Sequence, residues 1–212
     1  MKYLEVRNLS CVRDDRSLFK ALDFDLASGQ LLLIEGDNGS GKTSLLRILC
    51  GIRLPEQGRV SWHTGAEQLK AEVAVHSNES YAGDMVFLGH LDGNKLDLTV
   101  AENLEFSRSL ALGNDCSIAQ ALERVGLKHF EDLQVSNLSA GQRRRLALAR
   151  VLMSGASLWI LDEPFTALDQ QGIEMVEQII SGHLQQGGLV IMTSHHRVSF
   201  DRTMIISINL SQ

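Results

Sequence analysis

The sequence predicts an α/β fold with a parallel-sheet core, a small antiparallel β layer in front of it and an inserted helical subdomain. Three observations predict this class. Strand and helix patterns alternate at both ends of the chain, the first strands alternate apolar and polar residues, and residues from about 98 to 155 have helical periodicity. The 212 residues suit one domain. We predict a core of about residues 1–90 and 156–212, with the helical subdomain at about 91–155.

The first predicted elements are strands followed by one helix. "YLEVRNLS" (3–10) and "LDFDLASG" (22–29) alternate apolar and polar residues, which predicts short strands. The continuous apolar run "LLLIEGD" (31–37) predicts a buried strand that enters a glycine turn. A helix is expected from about Lys42, because the apolar residues that follow lie on one helical side. "GRVSW" (58–62) predicts a further edge strand.

The second half of the chain alternates helices and buried strands. Ser117 can cap a helix with apolar periodicity. "SLWILDEP" (157–164) and "GGLVIMTSH" (187–195) predict two buried strands, separated by a helix at about 171–184. "RTMIISINL" (202–210) predicts a closing strand.

Composition narrows the function classes. The net charge of −6 gives no general reason to expect nucleic acid as a partner, so we predict none. No apolar run approaches the roughly 18 residues that span a bilayer. The start "MKYLEVRNLS" lacks the apolar core of a signal peptide, so we expect a cytosolic protein. Cys11, Cys50 and Cys116 form no CxxC pair and are interpreted as packing or incidental thiols.

"GDNGSGKT", from Gly36 to Thr43, fits the phosphate-loop pattern G-x-x-x-x-G-K-[ST] between a predicted strand and a predicted helix. Glycines allow several backbone N–H groups to face one anion, and the helix N-terminus adds partial positive charge. Lys42 can reach the β- and γ-phosphates of a nucleotide, and the Thr43 hydroxyl can ligate Mg²⁺. The alternative is a glycine turn that matches by chance. The predicted nucleotide-binding residues are Gly36, Asp37, Asn38, Gly39, Ser40, Gly41, Lys42, Thr43 and Ser44.

Two carboxylates and two histidines end the neighbouring apolar strands. Sites in parallel-sheet proteins lie beyond the carboxyl ends of strands. Asp162 can hold Mg²⁺ there, and Glu163 can orient or deprotonate an attacking water. His195 is expected to contact the γ-phosphate, whereas His196 is interpreted as a capping or surface histidine. The alternative for the carboxylates is a polar strand end that meets a turn.

The chain resembles ABC (ATP-binding cassette) ATPases over essentially its whole length. The resemblance depends on five motifs in the family's order and spacing: "GDNGSGKT", "LSAGQ" (138–142), "LWILDEP", "ALD" (167–169) and "SH" (194–195). It implies an ATPase of the P-loop NTPase class with an ABC-type nucleotide-binding domain, which binds ATP and Mg²⁺. "LSAGQ", the signature segment, is similar to the family's LSGGQ.

The resemblance also implies a head-to-tail homodimer in the ATP-bound state. Ser139, Gly141 and Gln142 of one copy are then expected to face the γ-phosphate held by the partner's loop. Lys42, Glu163 and His195 are the expected catalytic residues. Asp169 matches a dimer-contact loop, with a simple helix cap as the alternative. The arginines at 143–145 are interpreted as a solvated or subdomain-bridging face rather than as phosphate ligands.

Two positions depart from the family pattern. Where most ABC ATPases have a glutamine that touches Mg²⁺ and water, this chain has His90, which we include among the catalytic candidates. Where the family stacks an aromatic residue on adenine, the candidate is Arg13, whose guanidinium can stack on a purine. The alternative for His90 is a surface histidine without a role in catalysis, and the alternative for Arg13 is a solvated charge.

These departures point to a subfamily. Two segments, "LGHLDGNKLDLTVAENLEF" and "LSAGQRRRLALAR", resemble the ATPase subunits of the cytochrome c maturation system. The resemblance implies a peripheral ATPase at the cytoplasmic face of a bacterial inner membrane. Its partners would be multispanning membrane subunits and, indirectly, a haem chaperone, and ATP would drive chaperone release or haem export. A transporter of another substrate, a ribosome- or DNA-acting ABC protein and a nucleotide-gated binding module remain alternatives.

Overall fold

The computed structural model describes residues 2–65, 79–110, 116–196 and 198–211. In chain order, the elements are β1 (Lys2–Arg13), β2 (Arg16–Ala27), β3 (Leu31–Glu35), α1 (Lys42–Leu49), β4 (Gln57–Thr64), α2 (Glu79–Asp84), β5 (Met85–Leu88), α3 (Val100–Leu110), α4 (Ile118–Arg124), α5 (Ala140–Met153), β6 (Leu158–Asp162), α6 (Gln170–Gln185), β7 (Leu189–Thr193) and β8 (Ile205–Asn209). Short 3₁₀ turns precede α5 and β8.

The small sheet is antiparallel, with strand order β2-β1-β4. Its first two strands have 12 residues each, so the prediction of short strands was wrong. Register shifts between Val6 and Val12 interrupt the alternation in sequence while the strand continues. Asp14 and Asp15 form a tight hairpin turn, both with positive φ, of 50° and 58°. As predicted, β4 lies at an edge.

The core sheet is parallel over all five strands, in the order β5-β6-β7-β3-β8. β6 and β7 are buried at every residue, which explains their uninterrupted apolar sequences. β3 pairs with β7 and β8, so the chain enters the phosphate loop from the interior of the sheet. The closing strand begins at Ile205, because a 3₁₀ turn takes up the three residues before it. The predicted α/β class with its parallel core and antiparallel layer is confirmed.

Helices α3, α4 and α5 pack against one another, and α5 also contacts β5. Ser117 caps α4 as predicted: its hydroxyl accepts from the N–H of Gln120, whose side chain accepts from the N–H of Ser117. Part of the predicted helical block, residues 111–115, lies outside the described residues. Within the described part of the chain, no helix has both the length and the apolarity needed to cross a membrane.

His183 of α6 makes the fold sensitive to acid. Its ring stacks on Trp159 with centroids 3.8 Å apart, and its Nε2 lies 3.1 Å from the Ser157 carbonyl oxygen. Burial lowers the pKa of His183 from 6.5 to about 4. The unfolded chain therefore takes up this proton near pH 6.5, but the folded chain only near pH 4.

We expect the free energy of unfolding to fall by about 3 kcal/mol as the pH drops through this window, because protons then favour the unfolded state. Urea denaturation at pH 7, 6 and 5 measures the slope. In His183→Gln the slope should be shallower, although the variant loses the stacking contact and is less stable at pH 7. Equal slopes in the two proteins would contradict this assignment.

Candidate functional site

The phosphate loop joins the end of β3 to the start of α1 and folds around the ammonium group of Lys42. Lys42 Nζ donates to the carbonyl oxygens of Gly36, at 2.6 Å, and of Asp37, at 3.0 Å. Gly41, just before α1, has a φ of 107°, and a Cβ there would lie 3.0 Å from the Leu18 Cβ. A side chain at this position would therefore meet both strain and crowding. No described side chain caps the N-terminus of α1, and the N–H groups that a helix N-terminus leaves without intrahelical partners suit an anion.

A buried carboxylate links the phosphate loop to two adjacent strands. Asp162 is 4% exposed. Its Oδ2 accepts from the Thr43 hydroxyl at 3.1 Å, and its Oδ1 accepts from the Thr193 hydroxyl at 2.8 Å. Thr193 is also the acceptor for the N–H of Glu163, at 2.9 Å. This threonine was not predicted from the sequence, because its contact with Asp162 depends on the register in which β6 and β7 pair.

The oxygens of Thr43 and Asp162 suit Mg²⁺. This cation prefers one or two protein oxygens together with phosphate oxygens and waters. Among the described residues, no group of three His, Cys, Asp or Glu side chains could hold a metal ion without such help.

Glu163 is held in an uncommon backbone conformation at the end of β6. Its φ is 51°, in the left-handed region that non-glycine residues rarely adopt. Its Oε2 accepts from the N–H of His195 at 3.3 Å, and its Oε1 lies 3.4 Å from the His195 Nε2. Oε1 is buried and has no hydrogen-bond partner among the described residues. A buried accepting oxygen without a partner is costly, and a bound water molecule is one group that would satisfy it.

A cavity of about 690 Å³ brings most of the predicted site residues together. The predicted residues that line it are Arg13, Asn38, Gly39, Gly41, Lys42, Thr43, Ser44, His90, Asp162, Glu163 and His195. Four lining residues were not predicted, namely Asp14, Arg16, Leu18 and Thr166. Gly36, Asp37 and Ser40 lie in the loop without lining the cavity. The Arg13 side chain is 62% exposed and forms an ion pair with Asp14 at 3.4 Å.

The signature segment lies outside this cavity. Ser139 caps α5, its hydroxyl accepting from the N–H of Gln142 at 3.2 Å, and the Gln142 side chain accepts from the N–H of Ser139 at 2.8 Å. Gly141 approaches the Ala167 carbonyl oxygen so closely that a Cβ would lie 2.8 Å from it. Within one copy of the chain, these three residues therefore do not line the cavity that holds Lys42.

The arginines after the signature segment contact the protein rather than the cavity. Arg143 donates to the Leu138 carbonyl oxygen at 2.8 Å, and Arg145 pairs with Asp169 at 3.0 Å. Asp169 also caps α6 through the N–H of Gly172 at 2.8 Å. That hydrogen bond, with smaller contributions from Arg145, lowers the pKa of Asp169. The contacts of the third arginine, Arg144, reach the end of β6 and are described below.

Comparison with protein families places residues 19–166 in the ABC transporter model. A protein of Aliivibrio fischeri named cytochrome c biogenesis ATP-binding export protein CcmA is 43% identical over 210 residues, covering 99% of this chain and 100% of the relative. Proteins with the same name match from Methylococcus capsulatus, at 46% identity over 96% of this chain and 95% of the relative, and from Yersinia pestis, at 48% over 91% and 85%.

Solved structures support the same fold. An ABC transporter ATP-binding protein from Pyrococcus furiosus matches with a TM-score of 0.82 and 26% identity, covering 98% of this chain and 97% of that one. An ATP-binding cassette described as a dimer in a post-hydrolysis state, bound to ADP and Pi, matches with a TM-score of 0.76. Its identity is 20%, over 97% of this chain and 94% of that one, so this likeness concerns the fold alone.

Proposed function

Because this chain belongs to the ABC transporter family, we propose that it is the ATP-hydrolysing subunit of a membrane complex for cytochrome c maturation. The observation that carries the proposal is identity of 43% to 48% with export proteins of that system, over most or all of both chains. In this proposal the protein works at the cytoplasmic face of the inner membrane. ATP drives release of a haem-loaded chaperone, or haem export, through multispanning membrane subunits.

The loop and α1 bind the phosphates of ATP in this proposal. Lys42, which now donates to two loop carbonyls, turns its ammonium group to the β- and γ-phosphates. Mg²⁺, when bound with ATP, neutralises charge on these phosphates. Thr43 and Asp162 are the protein oxygens that would hold it. Arg13, at the rim of the cavity, would stack on the adenine base.

Hydrolysis requires a water held in line with the γ-phosphate. Glu163 would accept a hydrogen bond from this water through Oε1, which has no hydrogen-bond partner among the described residues, and take up its proton. Thr193 holds the backbone of Glu163, and His195, which lies beside the Glu163 carboxylate, would steady the γ-phosphate. His90, exposed at the cavity, would take the place of the family's glutamine as a further contact for the water.

The membrane partners would bind near residues 90–98. Leu91 is 85% exposed and Leu96 is 50% exposed, which leaves apolar surface beside the cavity residue His90. Charge reversal at Asp92 is a poor test of this surface, because Asp92 also pairs with the buried Arg144 at 2.9 Å. Leu91 is the better position, since its side chain contributes little to the fold.

We expect Leu91→Asp to reduce co-purification of membrane subunits at least tenfold, because a charge would have to be desolvated in an apolar contact. The experiment is capture of tagged Glu163→Gln protein in mild detergent with ATP, with and without the second change. Mass spectrometry and haem absorbance measure what is captured. The matched control is Ile52→Asp, at a residue that is 66% exposed and lies outside this surface.

The captured proteins distinguish the possible complexes. Multispanning subunits together with a haem-binding protein would support the cytochrome c maturation complex. Permeases without haem would retain the transport motor but change its cargo. Ribosomal proteins or DNA would overturn the transport function, and equal loss of capture in the Ile52 control would contradict the placement of the partner surface.

A further inference from the structure

Arg144, in the first half of α5, is almost completely buried and fully hydrogen bonded. Its side chain is 3% exposed. The guanidinium has five N–H donors, and the structure gives it five acceptors: one at Nε, two at Nη1 and two at Nη2. An arginine held in this way has one orientation, because each rotation would leave buried donors without acceptors.

One side of the guanidinium holds the turn that carries Glu163. Nη2 donates to the carbonyl oxygens of Asp162, at 2.7 Å, and of Glu163, at 2.8 Å, while Nε donates to that of Pro164 at 3.4 Å. This is the turn in which Glu163 has the left-handed φ of 51°. A strained backbone persists only where its surroundings fix it, and here a cation fixes three successive carbonyl groups.

The other side of the guanidinium holds the loop that carries His90. Nη1 donates to the Gly89 carbonyl oxygen at 3.0 Å and to the Asp92 carboxylate at 2.9 Å. One side chain therefore connects three parts of the molecule: the helix that begins at the signature segment, the turn of Glu163 and the loop beside the proposed membrane-partner surface. A displacement of this loop or of α5 would therefore be transmitted to the Glu163 backbone by the Arg144 guanidinium.

A neighbouring arginine on α5 provides a natural comparison. Arg150 Nη1 donates to the Asp92 carbonyl oxygen at 2.7 Å and to the Asn94 side chain at 3.1 Å. It is less buried than Arg144 but still partly removed from water, and burial lowers the pKa of its guanidinium. Its described contacts hold the 89–95 loop but do not include the turn at 162–164. A comparison of variants at Arg150 and Arg144 therefore distinguishes the effect of losing a loop contact from the effect of losing the contacts to the turn of Glu163.

We propose that Arg144 is a positioning residue that sets the orientation of the Glu163 carboxylate and couples it to the loop at His90. The inference rests on the proposed role of Glu163 in hydrolysis. Arg144 itself touches no substrate. It acts through backbone carbonyl groups, so its loss should affect the rate of hydrolysis more than the binding of ATP.

The test compares Arg144→Gln, Arg144→Lys and Arg150→Gln in the full chain. We expect Arg144→Gln to lower kcat at least about tenfold while the Kd for ATP changes less than about threefold. Arg144→Lys should recover only part of the rate, because one ammonium group cannot reach both the turn and the loop. Arg150→Gln should lose comparable thermal stability but keep kcat within about threefold of the wild type, because Arg144 still holds the loop through Gly89 and Asp92.

A double variant and a fallback variant complete the test. In the Glu163→Gln background, Arg144→Lys should cause no further loss of the residual rate, because the group it positions is already gone. If Arg144→Gln does not fold, the kcat and Kd of Arg144→Lys decide the question. Equal loss of kcat in Arg150→Gln, or unchanged kcat in folded Arg144→Lys, would overturn the inference. Full activity of Glu163→Gln alone would instead overturn the proposed function.

Discussion

Glu163→Gln is expected to lower ATP turnover by about 10²- to 10⁴-fold, the range typical for loss of a general base, while ATP binding is retained. The amide keeps the size of the side chain and can still accept from the N–H of His195 through its oxygen. It cannot take up a proton from water. Phosphate release measures turnover, and equilibrium binding of a fluorescent ATP analogue measures affinity.

The control for this prediction is Glu174→Gln. Glu174 lies on α6 and accepts from the Gln170 side chain at 3.0 Å, and it does not line the cavity. Its loss should leave turnover within about twofold, as for most surface substitutions. A Glu163→Gln protein that loses ATP binding as strongly as turnover would show that Glu163 supports the cavity rather than the reaction.

Much of the site could be predicted because its residues are adjacent in sequence. The phosphate loop is a local motif between a strand and a helix, and Asp162 and Glu163 follow one buried strand directly. Alternating apolar and polar residues predicted the strands of the small sheet, and continuous apolar runs predicted the strands of the parallel core. The lengths of β1 and β2 were not predictable in this way, since the bulges in β1 break the two-residue period without ending the strand.

Thr193 and Arg144 could not be predicted because their roles depend on register and packing. Thr193 meets Asp162 only because β6 and β7 pair in the register that places the two residues opposite each other. Arg144 lies in a run of three arginines, and the sequence alone led us to interpret all three as part of one solvated or subdomain-bridging face. The helical twist of α5 instead buries Arg144 and leaves Arg143 and Arg145 partly exposed. Residues far apart in the chain thus complete a site whose motifs are local.

The head-to-tail dimer that the family resemblance implies predicts that two impaired variants restore activity when mixed. Lys42→Ala removes the ammonium group that would bind the phosphates, and Ser139→Asp places a negative charge where the partner's γ-phosphate would lie. Each variant should hydrolyse ATP at least about tenfold more slowly than the wild type. Asp caps a helix as well as Ser does, so α5 should remain intact and the loss should be electrostatic.

In a mixed dimer, one site combines both defects and the other combines an intact Lys42 with an intact Ser139. Random mixing makes half of the dimers mixed, each with one of two sites intact, so independent sites predict recovery of up to about a quarter of the wild-type rate. Ser139→Asn, which keeps the cap without the charge, should be the more active variant by itself. No recovery in a mixture in which mixed dimers form with ATP would mean that each chain uses its own signature segment. The separation of Ser139 from the cavity within one copy makes recovery the expected result.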